Sequence, residues 1–280
     1  MLIDLHTHSR ASDGTDSPAG VVAAAAVAGL GVVALTDHDT TAGWVEAARA
    51  ATTTGVAVVL GTEVSARASG ISVHLLSYLQ DPTHPALLAE LERTRSARLD
   101  RAREMVERLG TDYGLTWDDV VAQTRADTTV GRPHIADALV ARGVVSDRSA
   151  AFASMLQPRS KYYVPHHAPL AVDAVTAVLA SGGVPVFAHP GAEARGRVVP
   201  DSVIEAMSAA GLAGLEVHHR DHSPAQVVRL TALATRLGLL ITGSSDYHGA
   251  GKPNRIGENV TDPDVFAAIE EQGRTAVVRP

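Results

Sequence analysis

Two hundred and eighty residues with 45% hydrophobic content suffice for one barrel-sized domain with a sizeable core. A formal net charge of -7 argues against wrapping long duplex nucleic acid, which relies on Lys and Arg to release counterions, yet leaves room for a short oligonucleotide or mononucleotide held in a local basic pocket. The chain has no cysteine, so disulfides and thiolate ligands are excluded, and any transition-metal site must be built from imidazole and carboxylate.

Met1 is followed directly by Leu-Ile-Asp-Leu-His, without the basic and apolar regions of a secretory leader, and no apolar run reaches about eighteen residues. A soluble, cytoplasmic protein with no membrane contact is expected. Short runs rich in Val, Ile and Leu predict seven strands, at Leu2 to Leu5, Gly31 to Leu35, Val56 to Leu60, Ile71 to Leu76, Val184 to Ala188, Gly214 to Val217 and Leu239 to Thr242. Alanine-rich stretches at Pro18 to Ala28, Gly43 to Thr52, Ala171 to Ser181 and Pro224 to Leu237 predict helices between them. Such alternation implies a largely parallel α/β sheet or barrel.

One connection breaks the rule. Ser65 to Gly70 is too short for the dozen-residue crossover that parallel neighbours require, so strands three and four are expected to be antiparallel. That geometry lets Glu63 and His74 reach one point. From Pro85 to Pro169 helical periodicity replaces the strand signal, with Leu87, Leu91, Met105 and Leu109 on an apolar stripe and arginines at 93, 95, 98, 101, 103 and 108. Residues 85–169 thus read as a helical insertion between barrel segments 1–84 and 170–280. Most of its arginines are expected on solvated faces, paired with Glu90, Glu92, Glu104 and Glu107.

The chemistry-bearing residues gather at strand ends. His6-Thr7-His8 closes the first strand, and alternation along an extended chain turns both imidazoles to one face. Asp13 lies in the next loop, Asp37-His38-Asp39 ends the second strand, Glu63 follows the third, His74 is in the fourth, His189 ends the fifth, and Asp246-Tyr247-His248 follows the seventh. In barrels and open α/β sheets this carboxyl edge is where sites assemble. Imidazole with carboxylate suits zinc, manganese or iron, and so many ligand-type side chains exceed the needs of a single tetrahedral ion.

Other residues are candidates for holding a substrate. Arg132 offers paired donors to a phosphate, and Pro133 after it suits a helix start, whose free N–H groups favour anions. Lys161, Tyr162 and Tyr163 could close over a nucleotide, with a ring stacking on the base. His218 and His219 point to opposite faces of the sixth strand, so one of them faces the pocket. His84, His166, His167 and His222 are read as structural.

This pattern resembles the polymerase and histidinol phosphatase (PHP) superfamily, whose members share the early His-x-His, the strand-end Asp-His, the isolated Glu and His, and the late Asp-x-His. The Gly131-Arg132-Pro133-His134 and Leu215-Glu216-Val217 to His222-Ser223 stretches resemble its small nucleotide phosphatase and 5'-to-3' exoribonuclease branch. The resemblance implies a distorted seven-stranded, TIM-like (β/α) barrel and three divalent ions, manganese first, with zinc, iron or magnesium as alternatives. It implies one ion on His6, His8, Glu63 and Asp246, a second on Glu63, His74 and His189, and a third on Asp13, His38 and His248. It implies a metal-dependent phosphoric ester hydrolase acting on nucleoside 3',5'-bisphosphates or short RNA, with the Arg132 and His134 segment and His219 at the substrate, where the residues themselves also suggest Lys161 and Tyr162. Ions so placed act as Lewis acids and lower the pKa of a bridging water from near 16 toward roughly 7. A metal-bound water, His218, His219 or Asp37 would protonate the leaving group, with His219 favoured by the resemblance as a phosphate or leaving-group contact. No obligatory protein partner is evident. The alternatives are a histidinol-phosphate phosphatase, a non-catalytic metal-binding module, and an amidohydrolase, for which no strand-end lysine is present.

Overall fold

Each of the seven apolar runs forms a strand. In the computed structural model, which describes residues 1–125 and 128–280, the order begins β1 (Leu2–Asp4), α1 (Pro18–Val27), β2 (Leu30–Leu35), α2 (Trp44–Thr54), β3 (Ala57–Ala68) and β4 (Ile71–Tyr78). Four helices follow without a strand among the described residues: α3 (Pro85–Tyr113), α4 (Trp117–Val121), α5 (Arg132–Ala141) and α6 (Arg148–Ser154). Alternation then resumes with α7 (Ala171–Ala180), β5 (Val184–Phe187), α8 (Asp201–Ala209), β6 (Gly214–His218), α9 (Pro224–Leu237), β7 (Leu240–Gly243) and α10 (Pro263–Gln272).

Local chemistry sets the boundaries. Ser17 and Ser223 cap α1 and α9 by accepting from Gly20 N and Gln226 N, each just before a proline at the first helical position. The long α3 stops at Gly114, whose φ of 66° lies in the left-handed region.

The strands form one sheet in sequence order, β1 to β7. β4 runs antiparallel to both β3 and β5, and the other pairs are parallel. β3 extends to Ala68, well beyond the expected Leu60, so Glu63 lies inside the strand, in a hairpin that pairs Ser65 with His74. The expected barrel is met in part. The sheet has seven strands and flanking helices, but β1 and β7 are not laddered together; past their ends one parallel bridge joins Thr7 to Tyr247, with His8 N donating to Tyr247 O at 2.8 Å.

The apolar residues divide among four cores. One fills the inner face of the sheet and its lower mouth, with Ile3, Leu5, Val59, Leu76, Tyr78 and Val186. A second holds α1 and α2 on β2 and β3, and a third packs α7, α8 and α9 on the later strands. The fourth belongs to residues 102–164 alone and includes Met105, Leu109, Ile135, Leu139 and Leu156. The start of α3 belongs elsewhere, since Leu87 and Leu91 pack with strands of the sheet and α7.

Candidate metal centre

Just beyond the carboxyl ends of the parallel strands, the inner face of the sheet turns from apolar to ionisable. His6, His8, Asp13, His38, Glu63, Asp246 and His248 are all buried there, with His74 and His189 partly so. Three ligand-type groupings converge: His6, His8, Glu63 and Asp246; His8, Asp13, His38 and His248; and His38, Glu63 and His74. Left-handed backbone at Asp39, His189 and Asp246, with φ of 53°, 32° and 54°, turns the chain at this rim. Strain of this kind, on the order of 1 kcal/mol or more per residue, persists where the surroundings over-determine it.

Glu63 is the hub. Its Oε1 lies 2.9 Å from His74 Nδ1 and 3.1 Å from His189 Nε2. Its Oε2 lies 3.2 Å from His6 Nε2, 3.0 Å from His8 Nε2 and 3.2 Å from His38 Nδ1. Asp246 Oδ1 approaches His6 and His8 Nε2 at 3.5 and 3.4 Å. On the far side Asp13 Oδ1 lies 3.2 Å from His248 Nε2.

Several of these contacts are short without being hydrogen bonds. His38 Nδ1, His74 Nδ1 and His248 Nε2 are buried and lack a hydrogen-bond partner, although carboxylate oxygens stand within about 3 Å of each. Imidazole and carboxylate lone pairs aimed at a common space in this way fit divalent cations between them.

Electrostatics divides the imidazoles into two kinds. Burial lowers His38, takes His189 down to about 3 and takes His248 down to about 4, so these rings are neutral at pH 7, the form in which imidazole can bind a cation. Burial acts the same way on His8, but the Asp246 and Glu63 carboxylates outweigh it and push that imidazole up to about 9. His6 is likewise raised, by Glu216, Glu63 and Asp246 against burial. Glu63 is held well below the usual carboxylate range by His38, His74 and His6, although burial opposes this.

The sequence reading missed Glu216. It is fully buried, accepts from His6 Nδ1 at 2.9 Å and from His189 N at 2.7 Å, and so leaves His6 Nε2 free to face the cluster. A carboxylate behind a ligating histidine fixes both its tautomer and its orientation. The available signal was alternation, since Leu215 and Val217 face the outer core and Glu216 must face inward. Arg195 and Lys252 were also missed; they bind Asp246 Oδ2 at 2.6 and 2.9 Å.

Asp37, a candidate proton donor, is buried near His8, and burial raises its pKa. Its oxygens accept from Ser9 N, Ser9 Oγ and Ser12 Oγ at 2.7 to 2.8 Å, which spends them on organising the loop before Asp13. His219 does reach the cluster, while His218 is exposed. The His219 Nδ1 accepts from Asp221 N at 3.0 Å, which puts the proton on Nε2, a buried atom 3.6 Å from Asp246 Oδ2 that has no hydrogen-bond partner.

Arginines of the helical stretch between β4 and α7 lie near His38 and His166. Arg98 and Arg101 of α3 are buried rather than solvated, unlike Arg93, Arg95 and Arg108, which pair at the surface with Glu90, Glu92 and Glu104. Arg98 donates to Asp39 at 2.9 Å and to Ser65 Oγ at 2.8 Å. Among the described residues, Arg101 and Arg132 form no ion pair. Burial, with Arg132 and Arg98 nearby, lowers Arg101 to about 9. Arg101 donates to His166 Nδ1 at 3.1 Å, and burial together with the three guanidiniums takes that ring down to about 2. Arg132 donates to Leu156 O at 3.1 Å and lies against the Phe152 and Tyr163 rings. His134 caps α5 instead of pointing at a ligand, since its Nδ1 accepts from Gly131 N at 3.1 Å.

Lys161 and Tyr162 are not brought to Arg98 and Arg101. Both bind Asp112 Oδ2, at 2.6 and 2.5 Å, near the end of α3 and about three helical turns past Arg101. The Tyr162 ring is buried in the insertion core.

Comparison with known proteins agrees with this geometry. Residues 4–108 match the model of the PHP domain. Over 99% of its length the chain is 36% identical to 98% of the 3',5'-nucleoside bisphosphate phosphatase of Chromobacterium violaceum. It is 35% identical to the phosphoribosyl 1,2-cyclic phosphate 1,2-diphosphodiesterase of Eggerthella lenta, covering 93% of this chain and 99% of that one. It is 34% identical to the 5'-3' exoribonuclease of Haemophilus influenzae, covering 96% and 98%. A crystal structure from Bifidobacterium adolescentis, provisionally described as a metal-dependent phosphoesterase, superposes with a TM-score of 0.95 at 48% identity over 97% of this chain and 96% of that one. The chain therefore belongs to the PHP family of metal-dependent phosphoesterases.

Proposed function

We propose that this phosphoesterase removes the 3'-phosphate of nucleoside 3',5'-bisphosphates and releases 5'-mononucleotides from short RNA. The observation that carries the reading is the pairing of two features: the histidine and carboxylate cluster, suited to cations, and beside it the buried Arg98 and Arg101 with the partly buried Arg132. Neighbouring guanidiniums with one carboxylate partner among the described residues, Asp39 on Arg98, favour a second anionic group on the substrate. A substrate with two phosphate groups meets both features. The phosphatase and exoribonuclease named among the relatives support the same choice, and the cyclic-phosphate relative sets the competing substrate.

Three divalent ions, manganese first, would be held by His6, His8, Glu63 and Asp246, by Glu63, His74 and His189, and by Asp13, His38 and His248. Bound there, such ions supply Lewis acidity to the phosphoryl oxygens and lower the pKa of water. The residues do the rest. Glu216 orients His6 through Nδ1, and Glu63 divides its two oxygens between neighbouring groups of histidines. His219 presents its Nε2 proton toward the scissile phosphate or leaving oxygen. The arginines place the second phosphate, which holds the scissile bond in register with the cluster.

The test is product release by manganese-loaded protein from adenosine 3',5'-bisphosphate, AMP, histidinol phosphate, phosphoribosyl 1,2-cyclic phosphate and a short 5'-phosphorylated RNA. Turnover of the bisphosphate or RNA, lost in Asp246→Ala and with KM raised at least about tenfold in Arg101→Ala, is expected from removal of one charge-assisted contact. Turnover confined to histidinol phosphate or the cyclic phosphate would overturn the proposal.

A further inference from the structure

Asp13 and His248 are the candidate ligands held by the least regular backbone. Each sits in a loop, and the loops are tied to one another: Thr15 N donates to His248 O at 3.1 Å, and Ala250 N donates to Thr15 Oγ1 at 2.9 Å. A third tie comes from outside the barrel. Arg148, the first residue of α6, donates from Nη1 to Asp13 O at 3.1 Å and to Gly251 O at 3.5 Å. Its Nε and Nη2 are gripped by the Asp137 carboxylate of α5 at 2.5 and 2.6 Å. That two-point grip fixes the guanidinium plane, so Nη1 can aim only at the two loop carbonyls.

The approach leaves no slack. A Cβ on Gly251 would stand 2.3 Å from Arg148 Nη1; glycine at that position admits the guanidinium. The side chains of Arg148 and Asp137 are mostly buried, at 16% and 26% exposure, which spares the pair much of the screening that weakens surface ion pairs.

We propose that Arg148 is a positioning residue through which the helical insertion sets the Asp13 and His248 end of the metal centre. The inference rests on the metal-centre reading above. It couples two parts of the molecule: docking of α5 and α6 orders the third ion position, and by reciprocity an ion bound there tightens the docking of the insertion. Lysine could not replace Arg148, because a single ammonium cannot hold Asp137 by two parallel bonds and reach two carbonyls as well.

The experiment is metal analysis of the full chain after dialysis, with manganese titration and hydrogen exchange, on wild type, Arg148→Gln and Gly251→Ala. Arg148→Gln removes the fork, and Gly251→Ala pushes the guanidinium away without deleting it, so a folding failure in one leaves the other. Both variants should retain the tighter ions and lose one, with the weakest affinity falling about 10- to 100-fold, as for other groups that orient metal ligands. Manganese should slow amide exchange in α5 and α6 of wild type and not of the variants. Unchanged stoichiometry and affinity, or equal weakening of every ion, overturns the role of Arg148. Wild-type protein that takes up no ion at all sinks the metal-centre reading, and this inference with it.

Discussion

At the scale of single residues, the centre depends on which nitrogen of each imidazole is free, and that is decided one layer behind the ligands. His6 offers Nε2 because Glu216 takes Nδ1, and His248 offers Nε2 because its Nδ1 donates to Asp246 O at 2.8 Å. Glu216→Gln should therefore lower manganese affinity about 10- to 100-fold. Glutamine can accept from His6 or from His189 N through one oxygen, and its NH2 group opposes the remaining donor. A manganese titration followed by activity reads this directly, and an unchanged affinity would show that His6 needs no partner. The Asp37 carboxylate receives three donors from Ser9 and Ser12, which gives it a part in holding the loop before Asp13.

At the scale of elements, the β3–β4 hairpin is the piece that departs from a regular parallel sheet, and it carries the hub. Running β3 on to Ala68 puts Glu63 in mid-strand, and the antiparallel register returns His74 opposite Ser65. The insertion is the other departure. Residues 102–164 have a core of their own, with Leu139 fully buried. Leu139→Ala should destabilise the insertion by about 2–5 kcal/mol, the usual range for a buried leucine truncation. It should also raise KM for the bisphosphate and weaken the ion at Asp13 and His248 while the other ions are retained, a split that thermal melts, metal analysis and steady-state kinetics will read. Equal loss of metal would mean that insertion and barrel share one cooperative unit.

At the scale of the whole molecule, a cluster of ionisable groups is buried inside a chain of net charge -7, and its protonation is tied to metal uptake. His8 is raised from 6.5 to about 9 and His6 is raised with it, so this pair, whose Nε2 atoms lie 3.0 Å apart, holds an extra proton at pH 7 in the metal-free protein. A ligand must give up its proton, so manganese binding should release protons at pH 7, and affinity should rise between pH 7 and 9. Stability of the metal-free protein should move the opposite way. A folded-state pKa above the unfolded value contributes stability below about pH 6.5 that is lost as pH rises through about 9. Calorimetric titrations in buffers of different ionisation enthalpy, with melts of chelated and loaded protein, test both signs. Absence of proton release would mean that the carboxylates do not hold those imidazoles charged.

Much of this was legible in the sequence because strand alternation and the carboxyl-edge rule are local and periodic. The seven apolar runs, the antiparallel exception at Ser65 to Gly70, and the convergence of His6, His8, Asp13, His38, Glu63, His74, His189, Asp246 and His248 all follow from spacing. Among the described residues no helix is long and apolar enough to cross a membrane. Tertiary structure alone decided what depends on distance through space. Arg98 and Arg101 share the spacing of their solvated neighbours on α3, yet they are buried because α3 turns that face toward Asp39, Ser65 and His166. Lys161 and Tyr162 look like a substrate clamp in sequence but are captured by Asp112. The sheet that periodicity suggests as a barrel meets itself through one bridge, Thr7 to Tyr247. Periodicity tells which face of an element is apolar; it does not tell which distant partner that face will meet.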